Sequence, residues 1–82
     1  MKMTKKDENE ALNYAKTTIQ KEFKKQYGFA PSLKEITPLE CSYTYNHDFD
    51  MWTCDSLGFR INNIGYGWGI RYGLARNEAY DM

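Results

Sequence analysis

Between Gly65 and Gly73 the chain reads Gly-Tyr-Gly-Trp-Gly-Ile-Arg-Tyr-Gly, with glycine at nearly every second position. Side chains of a strand alternate between two faces, so a strand here carries Tyr66, Trp68, Ile70 and Tyr72 on one face. The other face carries Gly65, Gly67, Gly69 and Gly73, interrupted by Arg71. Glycine weakens a strand and contributes nothing to packing, so a strand with one heavy and one bare face implies close access to its backbone. The heavy face must find a core, and the bare face must find a use.

The rest of the chain supplies one candidate for covering the heavy face. Leu12, Ala15, Ile19 and Phe23 recur at spacings of three and four, with Tyr27 extending the stripe, which predicts an amphipathic helix over 4–27. Thr4 followed by Asp7 has the form of a capping box, and Gly28 is a natural C-terminal stop. Pro31, and Ser32 with Glu35 ahead of Ile36, predict a short helical turn over 32–36. From Leu39 the period changes to two: Leu39, Cys41, Tyr43 and Tyr45 alternate with Glu40, Ser42, Thr44 and Asn46.

Asn46-His47-Asp48 is turn chemistry. A loop at His47-Asp48 pairs Tyr43 with Trp52 and Cys41 with Cys54; a loop at Asp48-Phe49 pairs Tyr45 with Trp52 and Tyr43 with Cys54. Both registers put the same side chains on the same face. A second hairpin at Asn62-Asn63 pairs Ile61 with Ile64, Phe59 with Tyr66 and Leu57 with Trp68, and places Gly58 opposite Gly67. In one uninterrupted strand Trp52 and Cys54 face away from Leu57, Phe59 and Ile61, so a β-bulge near Asp55-Ser56 is expected. The expected fold is α+β in a single domain. It has one N-terminal amphipathic helix, a short helical turn, a three-stranded antiparallel β-meander over 39–76 packed on the helix, and a frayed tail over 77–82.

Two packings compete. The helix stripe can cover the aromatic face, burying groups each contributing about 1.5–3 kcal/mol. Alternatively Ile19 and Phe23 press into the glycine trough and leave the aromatics open to a ligand. The second leaves too much apolar surface in water for 82 residues, a length that buries only roughly 60–65% of the unfolded chain's surface. With the first packing, the glycines serve either to let a small sheet coil around one helix or to offer a flat docking surface.

The segment Gln26-Tyr27-Gly28-Phe29-Ala30-Pro31-Ser32-Leu33-Lys34-Glu35-Ile36 resembles the first helix-to-helix junction of LexA-type winged helix-turn-helix domains: an aromatic after glycine, then proline, Ser or Thr, and a short helix with a basic-Glu-Ile sequence. The resemblance covers about a dozen residues and implies a shared way of joining two helices. The family's recognition helix has no counterpart, since Thr37-Pro38-Leu39-Glu40-Cys41-Ser42-Tyr43 reads as strand.

Net charge is zero, with eight lysines in the first 34 residues and a mildly acidic remainder. That distribution lacks the whole-domain footprint of a nucleic-acid binder. No apolar run approaches a membrane span and no signal-peptide core follows the lysines, so a cytoplasmic location with reduced, core-filling cysteines is expected. Cys41, His47, Asp50 and Cys54 lack zinc-site spacing, with the histidine near a hairpin tip and the cysteines well down the strands. His47, the lone histidine, sits in a turn that neither excludes water nor fixes geometry. The glycine run lies in a strand and lacks a phosphate-binding pattern. No catalytic residue, metal or cofactor is therefore expected.

These features point to a small non-enzymatic protein that binds and inhibits or regulates a macromolecular partner, either another protein or a second copy as a homodimer. The expected contacts are Gly58, Arg60, Gly65, Gly67, Gly69 and Arg71 on the bare face, and Asp48, Phe49 and Asp50 at the hairpin tip. By analogy of size and composition alone, such chains are common among phage or mobile-element inhibitors of host systems, including anti-CRISPR proteins. The alternative is a single-stranded nucleic-acid-binding module in which Tyr66, Trp68 and Tyr72 stack on bases beside Arg60, Arg71 and the N-terminal lysines.

Overall fold

The computed structural model describes residues 2–71 and 74–81. Helix α1 spans Lys5–Tyr27. Its start is fixed by a reciprocal box: the Thr4 hydroxyl accepts from the Asp7 amide at 3.1 Å, and the Thr4 amide donates to the Asp7 carboxylate at 3.0 Å. Those Thr4 contacts hold the Asp7 carboxyl below its ordinary range. The helix ends at Gly28, whose φ of 82° is left-handed and whose amide donates to the Lys24 carbonyl at 3.1 Å. A Cβ built at Gly28 meets nothing within 4 Å, so only the backbone conformation resists substitution. Gly28→Ala is accordingly expected to cost about 1 kcal/mol, read as a lower urea midpoint with an unchanged m-value.

A 3-10 turn at Leu33–Glu35 follows, with the Ser32 amide donating to the Glu35 carboxylate at 3.0 Å. Four strands then run as an antiparallel meander in the order β1-β2-β3-β4: β1 Thr37–Asn46, β2 Met51–Ile61, β3 Ile64–Arg71 and β4 Leu74–Asp81. The α+β architecture, with a helix, a short turn and antiparallel strands packed on the helix, is the expected one. The fourth strand is a correction. Residues 77–81, expected to fray, belong to β4 and pair with β3, with Tyr66 opposite Asp81, Gly67 opposite Tyr80 and Gly69 opposite Glu78. Backbone pairing with β3 places this segment in the sheet. The expectations for Tyr72, Gly73 and Met82 lie outside the described residues.

Of the two registers for the first hairpin, the chain adopts Tyr43 opposite Cys54 and Tyr45 opposite Trp52. The loop is a four-residue turn closed by Asn46 opposite Met51. The Asn46 side-chain oxygen accepts from the amides of Asp48 at 3.0 Å and Phe49 at 3.3 Å, and Asp50 takes a left-handed φ of 51°. The second hairpin pairs as expected through Ile61–Ile64, Phe59–Tyr66 and Leu57–Trp68. Asn62 supplies its positive φ of 58°.

The bulge predicted near Asp55 is present: Ser42 pairs with Ser56 and Tyr43 with Cys54, leaving Asp55 as the additional residue. A second irregularity, between Pro38 and Glu40, makes Leu39 the additional residue on β1. That shift takes Leu39 out of the apolar row and leaves it exposed, and Cys41 is exposed as well, contrary to its expected place in the core.

The helix covers the aromatic face. Ala11, Ala15, Ile19 and Phe23, each four residues apart, are buried with Leu57, Phe59, Ile61, Tyr66 and Trp68, joined by Ile36 and Cys54. Leu12 packs at the margin of this core, and Tyr27 lies half outside it. Phe23 is the meeting point of the rings. Its centroid lies 4.9 Å from Tyr66, 6.3 Å from Phe59, 5.0 Å from Tyr27 and 5.8 Å from Phe29.

Candidate interaction surface

With the helix on the aromatic side, the strand register assembles the opposite side of the sheet. Glu40 and Ser42 on β1 stand opposite Gly58 and Ser56 on β2, which in turn stand opposite Gly67 and Gly69 on β3. Arg60 lies opposite both Thr37 and Gly65. The backbone of Arg71 falls at the end of β3, opposite Leu74. The pairing of Gly58 with Gly67 makes the bare strip two strands wide.

Among the described residues, Gly28 is the glycine with positive φ, so the glycines of the strip have torsions open to any residue. Their contribution is the missing side chain. Glu40, Ser42, Ser56 and Arg60 are exposed around the strip, whereas Gly67, on an interior strand, is buried. The strip is thus a trough whose floor is closed at Gly67 but partly accessible at Gly58, Gly65 and Gly69. A shallow groove of about 230 Å³ lies along it, lined by Glu40, Ser42, Ser56, Gly58 and Gly67 among others.

Hydroxyls tie the face together toward the distal end of the first hairpin. The Ser42 and Ser56 hydroxyl oxygens are 2.6 Å apart, the Thr53 hydroxyl donates to the Thr44 carbonyl at 3.2 Å, and the Thr44 hydroxyl donates to the Asp55 carboxylate. Partial burial raises the Asp55 carboxyl above its ordinary value, partly opposed by a bond from Thr53. The bulge therefore has a second consequence besides aligning the core. It turns an acidic residue toward Thr44 on the neighbouring strand.

The hairpin tip is separate from this trough. Asp48, Phe49 and Asp50 are all exposed, with Phe49 at 75% and Met51 behind it at 46%. At the base of the tip, Tyr45 packs edge-on against His47 at 4.9 Å and Trp52 at 5.7 Å. A groove of about 480 Å³ beside them is lined by Thr44, Tyr45, Asn46, His47, Asp48, Thr53 and Asp55. Among the described residues, no three His, Cys, Asp or Glu side chains are grouped as metal ligands would be.

Tyr66 and Trp68, read as base-stacking residues in the nucleic-acid alternative, are core residues, 9% and 1% exposed. The helix occupies the space a base would need, and the indole Nε1 of Trp68 is buried with no hydrogen-bond partner among the described residues. The exposed aromatics are elsewhere. Tyr27 and Phe29, at the C-terminal end of α1, are 47% and 53% exposed with ring centroids 6.2 Å apart. The sequence pattern assigned Tyr27 to the apolar stripe; the adjacent helix stop at Gly28 was the signal that the stripe had ended.

Among the described residues, no helix is long and apolar enough to cross a membrane. Comparison of the chain with protein-family models, curated protein sequences and solved structures finds no match.

Proposed function

We propose that this chain is a small non-enzymatic interaction protein whose uncovered sheet face binds another protein and thereby inhibits or regulates it. The observation carrying this reading is the Gly58–Gly67 trough, formed by residues in ordinary strand torsions and bordered by exposed Glu40, Ser42, Ser56 and Arg60. Such a surface lets a partner's side chains approach the backbone, while Arg60 offers the planar charged anchor common in interface hot spots. The broad side of the molecule, 37 × 26 Å, is of the order of the roughly 800 Å² each partner contributes to a standard interface. The exposed Phe49 with Asp48 and Asp50 gives a second contact at the tip.

The test compares Gly58→Leu and Arg60→Glu with the parent chain in capture from extracts of the native host. Both variants are expected to retain the parent circular dichroism and to lose at least about tenfold in affinity for the captured protein. Light scattering on the same samples distinguishes a second copy from a different partner. Unfolding of Gly58→Leu, together with undiminished capture by Arg60→Glu, would assign the glycines to the fold alone.

A further inference from the structure

We propose that the C-terminal end of α1 is a platform for single-stranded nucleic acid, with Tyr27 and Phe29 as the stacking surface and Lys24, Lys25 and Lys34 as phosphate contacts. The site lies outside the glycine trough and stands independently of the function proposed for that face. Two neighbouring rings, each about half exposed, form an apolar patch that the fold has left uncovered. Both rest on Phe23, itself 1% exposed and held edge-on against Tyr66, so the exposed rings have a rigid base.

Lysines flank this patch along the chain. Lys21, Lys24 and Lys25 lie in the last two turns of α1, and Lys34 lies in the 3-10 turn that follows Phe29; all four are exposed. The Lys24 ammonium donates to the Gly28 carbonyl at 3.1 Å, which stations a cation at the backbone between the two rings. Two of its three hydrogens remain for other acceptors. Of the acidic residues in this stretch, Glu35 is engaged by the Ser32 amide and its carboxyl is held below the ordinary range by Ser32.

Aromatic faces beside ammonium groups fit a chain of flat bases joined by phosphates. Stacking is tolerant of sequence, and the cations follow the backbone. A membrane surface fits less well, because the apolar stripe of α1 is spent on the sheet and leaves no amphipathic face to insert. The zero net charge of the whole chain does not oppose a local patch, but it confines the attraction to short range in salt.

The test is fluorescence anisotropy of a labelled oligothymidylate of about 12 nucleotides, titrated with the full chain. Saturable binding is expected at ~50 mM salt, weakening about 20-fold by ~200 mM, as three phosphate contacts on a single strand require. Phe29→Ala should weaken binding about tenfold with unchanged circular dichroism. The Lys25→Gln, Lys34→Gln double variant, which spares the Lys24 bond, should reduce the salt slope to about one third. Absence of saturable binding at low salt overturns the proposal, as does equal affinity in Phe29→Ala. Binding to vesicles of equal phosphatidylserine and phosphatidylcholine without binding to the oligonucleotide overturns it in favour of a membrane surface.

Discussion

Phe23→Ala is expected to destabilise the protein by about 3–5 kcal/mol, the range for truncating a buried aromatic. Phe23 is 1% exposed and its ring meets those of Tyr27, Phe29, Phe59 and Tyr66. It is the largest side chain that α1 inserts against the sheet; the other buried positions on the helix are Ala11, Ala15 and Ile19. Two alanines in that stripe allow close approach but bury little area, so the contact depends on Ile19 and Phe23. An 82-residue domain has a total stability of about 4–12 kcal/mol. The variant should therefore unfold at a much lower urea concentration or be partly unfolded in its absence. Tyr14→Ala, at a position 69% exposed, serves as the control and should change stability by less than about 0.5 kcal/mol. A loss below about 1 kcal/mol in Phe23→Ala would mean that the helix is held to the sheet by something other than this ring cluster.

The same cluster shows how far the sequence could be read. Helix start, helix stop and covered face follow from local chemistry and a three-and-four period: Thr4 with Asp7, Gly28, and the run through Ile19 and Phe23. The second hairpin follows from Asn62-Asn63, and the bulge at Asp55 from the requirement that Cys54 share a face with Leu57. Strand β4 was hidden because its sequence, with Asn77, Glu78 and Asp81, has no apolar alternation. Its place depends on the backbone hydrogen bonds that β3 offers to the strand that follows it in the chain. Leu39 was misplaced for a related reason, since a bulge moves a residue off its row without leaving a mark in composition.

For the candidate surface, alternation was enough to locate the glycine trough, but not what meets it. Glycine carries no side chain from which a partner's chemistry can be inferred. The exposed aromatics show the opposite limitation. Residue type marks Tyr27 and Phe29 as capable of stacking, but only the end of α1 and the seat on Phe23 leave them accessible while Trp68 is enclosed.

Alkaline conditions should expose the second largest effect, through Cys54. Its thiol is 3% exposed and donates to the Ser56 carbonyl at 3.3 Å. Burial, reinforced by the nearby Cys41 and Asp55, pushes it from the ordinary 9.0 up to about 12. The folded state thus keeps a proton that the unfolded chain releases first, so the stabilising contribution is complete below about pH 9 and is lost as pH rises toward 12. At pH 11 the loss should be on the order of 2 kcal/mol relative to pH 8. Burial also pushes the Tyr43 phenol upward, with the Cys41 thiol adding to the effect, so it acts in the same direction at higher pH. Urea midpoints measured from pH 8 to 11 under reducing conditions should fall steeply in the parent chain and much less in Cys54→Ala. An equal decline in both would remove Cys54 as the cause. Thiol labelling supplies the structural check: Cys41, which is exposed, should react in the folded protein, while Cys54 should wait for unfolding.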